Sequence, residues 1–346
     1  MTDDATINAP ARSQRIEWLD SLRGVAMFLV VLGHCNGIFP ATDTIIYSFH
    51  MPLFFMISGA LFRLGKYAGL RACAVDKAKK ILVPYCFFFA LNIPLYLLLQ
   101  VAAGKAITAT PLDFLVGFVT GGEFGIISST PLWFLPCFFF VSVLYWAIGE
   151  LHERFGVSYW LCILVLILAA TIFDGCDAVT ILQIHTVPMA AAFFGIGQQF
   201  MINREKILAV LGYKTRWRRY ALAIVVLVAA GITLALVNGR ISMLGSSYRI
   251  VGLTMVHALS LSLAVTMIMI VVPKIWAIDF IGKNTMLIFA IHLFFIRLFE
   301  YLPVTSALAL GWPVLLSVVV TALLIPISML FNRYLPEVVG KKRLKA

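Results

Sequence analysis

The sequence predicts an all-α fold, a polytopic membrane bundle of about ten transmembrane helices with both termini in the cytoplasm. Three observations predict it. Of 346 residues, 62% are hydrophobic and 12% charged, with a mean hydropathy of +0.98, which is too apolar for a soluble surface. The apolar runs have the length of helices crossing a hydrocarbon core of about 30 Å, and the alternating pattern of an outer-membrane barrel is missing. The basic residues collect in alternate loops, which orients the bundle.

In chain order the expected spans fall at 21–39, 45–62, 81–102, 132–149, 159–173, 181–201, 220–237, 250–272, 285–301 and 313–331. With the N-terminus in the cytoplasm, 22 of the 27 lysines and arginines face inward. Lys105, Arg240 and Arg249 face outward, and Arg23 and Arg297 lie within spans. The expected organisation is a cytoplasmic tail over 1–20, one membrane domain over 21–331 and a basic cytoplasmic tail over 332–346. The net charge of +11 is explained by this placement against the lipid bilayer, so no nucleic-acid partner is implied.

The first fifteen residues carry two aspartates and no basic stretch followed by an apolar one, so no cleaved signal peptide is expected. The six cysteines, Cys35, Cys73, Cys86, Cys137, Cys162 and Cys176, form no CxxC pair and fall in or beside apolar runs. They read as buried thiols rather than a disulfide framework or a zinc site. The longest outward segment, Gly104 to Pro131, contains Gly121, Gly122 and Gly125 and an apolar stretch from Leu112 to Val119 too short to span. That stretch is expected to re-enter the membrane or lie on its surface as a lid.

Ionisable groups inside spans are costly, and each asks for a reason. The first span, SLRGVAMFLVVLGHCNGIFP, holds Arg23 near its start and His34 near its far end. On a helix, eleven residues make three turns to within about 20°, which sets the two on one face roughly 16 Å apart. They mark two polar stations along one lined path. Arg23 also has a structural reading, pairing with Asp20 or snorkelling to the interface. His34 fits equally a neutral imidazole bonded to a neighbouring helix or a catalytic base. Asn36 follows on the next turn, where it is placed to orient the ring or an acceptor. His50, near the outer end of the second span at a comparable depth, either shares a site with His34 or is an interfacial residue.

Lys77, Lys79 and Lys80 stand at the mouth of the third span, in DKAKKILVPY. Such a cluster suits the phosphates of a cytosolic cofactor or the headgroups of anionic lipid. His185, His257 and His292 read as core histidines, and Arg297 and Glu300 as a pair on one face. No HExxH, no GxSxG elbow and no phosphate-cradling glycine loop occurs.

Five stretches together resemble the acyltransferase type 3 family of integral-membrane O-acyltransferases, and within it the fucose O-acetylase-like branch. They are RIEWLDSLRGVAMFLVVLGH, FHMPLFFMISGALF, KAKKILVPY, PLWFLPCFFF and IGKNTMLIFAIH. The resemblance aligns the family's basic residue and histidine with Arg23 and His34. It aligns the family's second basic motif, usually two arginines, with Lys77 and Lys80; lysines keep the charge but lose the bidentate fork. Within this resemblance the chain is similar to the stand-alone members that lack an appended hydrolase-like domain.

The resemblance implies transfer of an acyl group, commonly acetyl, from cytosolic acyl-CoA to a sugar hydroxyl on a surface or exported polysaccharide. It also implies a multi-pass protein of the inner (plasma) membrane. Acetyl-CoA is then the donor substrate and no metal is needed. Arg23, Lys77 and Lys80 are expected to bind the donor, and His34 to act as general base or to carry the acyl group. His50, Asn36 and Trp133 are expected to orient the acceptor. Composition and topology fit a glycan or metabolite transporter as well, and more weakly a structural partner in an export complex.

Overall fold

The structure, a computed structural model, describes residues 16–122, 127–175, 181–301 and 311–341. The expectations that concern Arg12, Arg15, Gly125, Cys176 and the bases beyond Lys341 lie outside the described residues. Among them the regular structure is helical, with one isolated bridge between Ser242 and Ser247 and the rest in turns and loops.

Each expected span overlaps a helix, with boundaries shifted by up to nine residues. In order these are α1 (Glu17–Gly33) and α2 (Pro40–Ala60), then, after a short α3 (Leu70–Lys77), α4 (Val83–Ala102). Beyond a short α5 (Pro111–Val119) come α6 (Phe134–Phe155), α7 (Tyr159–Ile172), α8 (Val187–Val210), α9 (Trp217–Asn238) and α10 (Val251–Val271). A short α11 (Trp276–Lys283) precedes α12 (Thr285–Glu300) and α13 (Trp312–Tyr334).

By length and apolarity, five stretches can cross a membrane: Leu70–Ala102, Ser129–Phe155, α9, α10 and α13. The pair α11 and α12, bent by 95°, makes a sixth when taken as one broken span. Other long helices carry the polar cargo, with Asp20 and Arg23 on α1, His50 on α2, and Gln198 and Gln199 on α8.

The apolar stretch from Leu112 to Val119 forms α5. Thr110 and Asp113 make a capping box at its start, with Pro111 at the first helical position. Leu112, Leu115, Val116 and Val119 are exposed, and the Phe118 carbonyl accepts the Tyr85 hydroxyl, which ties α5 to α4.

Two reciprocal glycine contacts set the helices around the site. A Cβ on Gly24 of α1 would collide with the Ile278 carbonyl of α11, and one on Gly282 of α11 with the Asp20 carbonyl of α1. Between α2 and α8, Gly59 meets the Phe194 backbone and Gly197 meets the Met56 backbone in the same way. With apolar lipid outside and apolar side chains inside, close van der Waals packing rather than water exclusion joins such helices, and small residues permit it. Ser21 Oγ adds a 2.5 Å hydrogen bond to the buried Asp279 of α11.

A π-helical turn, Ala78–Leu82, joins α3 to α4. Such turns break the i→i−4 register and recur at functional sites; here it carries Lys79 and Lys80. The cysteine expectation holds in part: Cys35, Cys73 and Cys137 are buried thiols, Cys162 is half-buried, and Cys86 is exposed.

Candidate functional site

Helices α1, α2 and α12 each line two cavities. The first, of about 460 Å³, is bordered by Arg23, Arg63, Lys66, Lys77, Lys80, Lys283 and Lys341, with no carboxylate in its lining among the described residues. Asp76, just behind, gathers the cations: it accepts Lys80 at 2.6 and 2.8 Å, Lys66 at 2.9 Å and the Tyr67 hydroxyl at 2.7 Å. Burial draws the Lys66 ammonium down in pKa, but its hydrogen bonds with Tyr67 and Asp76 outweigh this and hold it above the usual lysine range. Lys77 has no carboxylate within ion-pair distance among the described residues. Its ammonium lies over the rings of Phe62 at 4.9 Å and Phe138 at 5.5 Å.

The bend at Asn284 adds to this basic cavity. Asn284 Oδ1 accepts Asn332 at 2.6 Å and Lys341 at 2.8 Å, while its amide donates to the Phe280 carbonyl at 2.8 Å. That network leaves the start of α12 without a side-chain cap. Thr285, Met286 and Leu287 of its first turn line the cavity, so the positive end of the helix dipole is directed there as well.

The second cavity, of about 410 Å³, is lined by His34, Tyr47, His50, Trp133, Arg240 and Arg297 among others. His34 closes α1, and its Nδ1 lies 2.8 Å from the Val30 carbonyl. His292 Nε2 stands 3.4 Å from the same Nδ1. His292 Nδ1 is itself 2.8 Å from the Phe289 carbonyl and 3.0 Å from that of Ile288. Assigned from these partners, both rings carry their proton on Nδ1. His34 then shares its N–H between Val30 and His292, and its Nε2 is the unprotonated nitrogen of a neutral ring. His50 repeats the pattern, with Nδ1 2.7 Å from the Ile46 carbonyl.

The Tyr47 ring lies between the two cavity histidines, its centroid 6.4 Å from His34 and 5.0 Å from His50. Arg240 caps it at 3.8 Å while pairing with Asp43 at 2.5 Å. Arg297 pairs with Glu300 at 2.6 Å, as their spacing predicted.

Of the residues singled out from the sequence, Arg23, Lys77 and Lys80 meet in the basic cavity, and His34, His50 and Trp133 meet in the histidine cavity. Asn36 does not line it. Its backbone N–H and side-chain amide donate to the two Glu300 oxygens at 3.0 and 2.8 Å, so it holds the partner of Arg297 rather than facing the cavity. His292, read from the sequence as a core histidine, is fully buried and lines neither cavity, though its ring reaches His34; Arg240, counted only as an outward loop charge, lines the histidine cavity. The signal for His292 was present in IGKNTMLIFAIH, whose final residue it is. Arg240 left no such trace.

The two cavities share Met51 and Phe289 in their linings. A base-rich chamber, whose charge suits a phosphate-bearing group, thus adjoins a chamber lined by His34 and His50. Compared with known proteins, residues 16–332 match the family model described as an acyltransferase domain, Acyl_transf_3. No curated protein and no solved structure matches the chain. The match covers nearly the whole chain together with the motifs that carry Arg23 and His34, so this multi-pass membrane protein belongs to the acyltransferase type 3 family.

Proposed function

We propose that the protein transfers an acyl group, with acetyl the expected one, from cytosolic acyl-CoA to a hydroxyl of a surface or exported polysaccharide. The observation that carries this reading is the pair of touching cavities, one lined by seven cations and the other by His34 and His50. In this reading the chain crosses the inner membrane ten times with both termini in the cytoplasm. The basic cavity then faces the cytosol, and the histidine cavity lies toward the outer side.

A nucleotide donor brings several phosphates. Arg23, Lys77 and Lys80, with the uncapped start of α12, supply a matching positive lining, and water exclusion by the surrounding aromatics strengthens the attraction. The pantetheine arm extends along α1 toward His34, a path of roughly 16 Å from Arg23 by helical rise. His34 Nε2 takes the proton of the acceptor hydroxyl as its oxygen attacks the thioester carbonyl. The C–S bond breaks, and the departing thiolate takes that proton back from the imidazolium. In the two-step variant, His34 Nε2 attacks the thioester carbonyl and CoA leaves as its thiolate; the acceptor oxygen then takes the acyl group from the imidazolium, and the hydroxyl proton passes to that thiolate. Trp133, Tyr47 and His50 supply flat apolar faces and one acceptor nitrogen for a sugar ring, while Asn36 acts on Arg297 through Glu300.

Membranes containing the full-length protein and its native glycan, given labelled acetyl-CoA, test this. CoA thiol release with label moving to glycan is expected. Counterflow of a glycan or metabolite without thiol release would replace the enzyme with a transporter.

A further inference from the structure

The charges around the histidine cavity are one-sided. Among the described residues its lining contains two arginines, Arg240 and Arg297, and no carboxylate. Their partners Asp43 and Glu300 stand outside the lining. The chamber therefore presents guanidinium groups with no acid facing them.

The protein uses only part of each guanidinium. Asp43 binds Arg240 at Nε, 2.5 Å away, and the group lies against the Tyr47 ring, 3.8 Å from its centroid. With the Arg240 side chain 48% exposed, this pair adds little to stability. Glu300 binds Arg297 at Nη1, 2.6 Å away, and is itself fixed by the backbone N–H and amide of Asn36 at 3.0 and 2.8 Å. Asn36 lies two residues beyond His34, so these bonds tie Arg297 to the end of α1 that carries the histidine. Arg297 Nε is buried and has no acceptor among the described residues. An unpaired buried donor is costly, and an acceptor brought by a ligand removes that cost.

The residue type points to the ligand. A guanidinium offers five donors in a planar fork that matches a carboxylate. The hydroxyls of a neutral sugar are met as well by uncharged side chains, without bringing two like charges to one chamber.

We propose that Arg240 and Arg297 bind a carboxylate in the histidine cavity and that the acceptor carries it, so the acceptor is an acidic sugar such as a uronic acid residue. The proposal rests on the acyl-CoA reading above. In that reading the donor phosphates lie in the basic cavity and the acetyl group is uncharged, which leaves the acceptor as the source of the anion. Held by its carboxylate, the ring meets His34 in one orientation, and the same contact selects the hydroxyl that reacts.

The test titrates the purified full-length protein in detergent, without donor, with 4-nitrophenyl β-glucuronide and 4-nitrophenyl β-glucoside. The two differ only in a carboxylate for a hydroxymethyl group. The rise in melting temperature with concentration gives an apparent Kd for each. Wild type is expected to bind the glucuronide about tenfold or more tightly. Arg240→Gln and Arg297→Gln are each expected to bring the ratio of the two Kd values toward one. Arg240→Lys and Arg297→Lys, which keep the charge and lose the fork, should fall between and carry the comparison where a glutamine variant does not purify. A role confined to folding would lower the starting melting temperature and leave the ratio alone. Equal binding of the two glycosides by wild type, binding of neither, or an unchanged ratio in the variants overturns the proposal. A second arm compares succinyl-CoA with acetyl-CoA. Tighter binding of succinyl-CoA that is lost in the same variants, with the glycosides bound alike, would put the carboxylate on the donor and overturn the assignment to the acceptor. Failure of the acyl-CoA reading shows separately, as wild-type membranes with native glycan that release no CoA from acetyl-CoA.

Discussion

The contact between His34 and His292 makes a prediction that separates a base from its support. His34 Nδ1–H is shared between the Val30 carbonyl at 2.8 Å and His292 Nε2 at 3.4 Å. The second contact is long, and a net hydrogen bond is worth about 0.5–1.5 kcal/mol, with this one toward the lower end. Replacing His292 by leucine keeps much of the volume and removes the bond. His34 loses one of two restraints but keeps its Nδ1 proton on Val30, so transfer should fall about two- to tenfold. Replacing His34 by alanine removes the base itself, a loss of about 10²- to 10⁴-fold, or roughly 2.7 to 5.4 kcal/mol. Because His292 acts only through His34, the double variant should be no slower than His34→Ala alone. Initial rates of acyl transfer, normalised to protein quantified in the same membranes, measure all three. Losses that multiply in the double variant would show that His292 has its own contact with the reaction and refute the positioning role.

Lys77 faces two aromatic rings and no ion-pair partner among the described residues, whereas Lys80 is already bound to Asp76. Lys77→Ala should therefore raise the apparent KM for acetyl-CoA more than Lys80→Ala, with kcat little changed in both, as read from donor titrations. The pair Arg240 and Asp43 is partly exposed, so it contributes at most about 1 kcal/mol to stability. It does hold the cap over Tyr47, so Arg240→Gln should leave thermal stability in detergent close to wild type and raise the acceptor concentration needed for half-maximal rate. Gly282→Ala and Gly59→Ala each place a Cβ against a backbone carbonyl of the facing helix. Each should lower the melting temperature in detergent and the yield of monodisperse protein, whereas Gly65→Ala, which meets open space, should not.

Much of the helical inventory was legible in the sequence because it depends on local pattern. A run of apolar residues of membrane length can satisfy its backbone in lipid only as a helix, and all ten expected spans fall on helices. The breaks are harder to read. The bend at Asn284 follows from its bonds to Asn332 and Lys341, some fifty residues later in the chain, and the π-helical turn at Ala78–Leu82 carries no composition signal. The site was legible where its residues share one helix. Arg23 and His34 line up through helical periodicity alone, and Arg297 and Glu300 pair at a spacing of three.

What came from elsewhere in the chain was not legible. Asn36 was read as a neighbour of His34 by spacing, yet Glu300 lies close enough to take both of its donors. His292 looked like any buried histidine until α12 was set against α1. Met51 of α2 and Phe289 of α12, which line both cavities, are side chains that sequence alone cannot bring together.

The sequence by itself determined that the chain is an apolar helical protein with an arginine and a histidine on one face of its first span. It did so because helix periodicity and the cost of burying charge are local properties. Only the tertiary structure decided that this face borders two chambers, that the His292 ring reaches His34, and that Met51 and Phe289 line both chambers. Those relations depend on which helices touch, and among helices with apolar surfaces on every side, glycine contacts such as Gly24 with Gly282 select the neighbours.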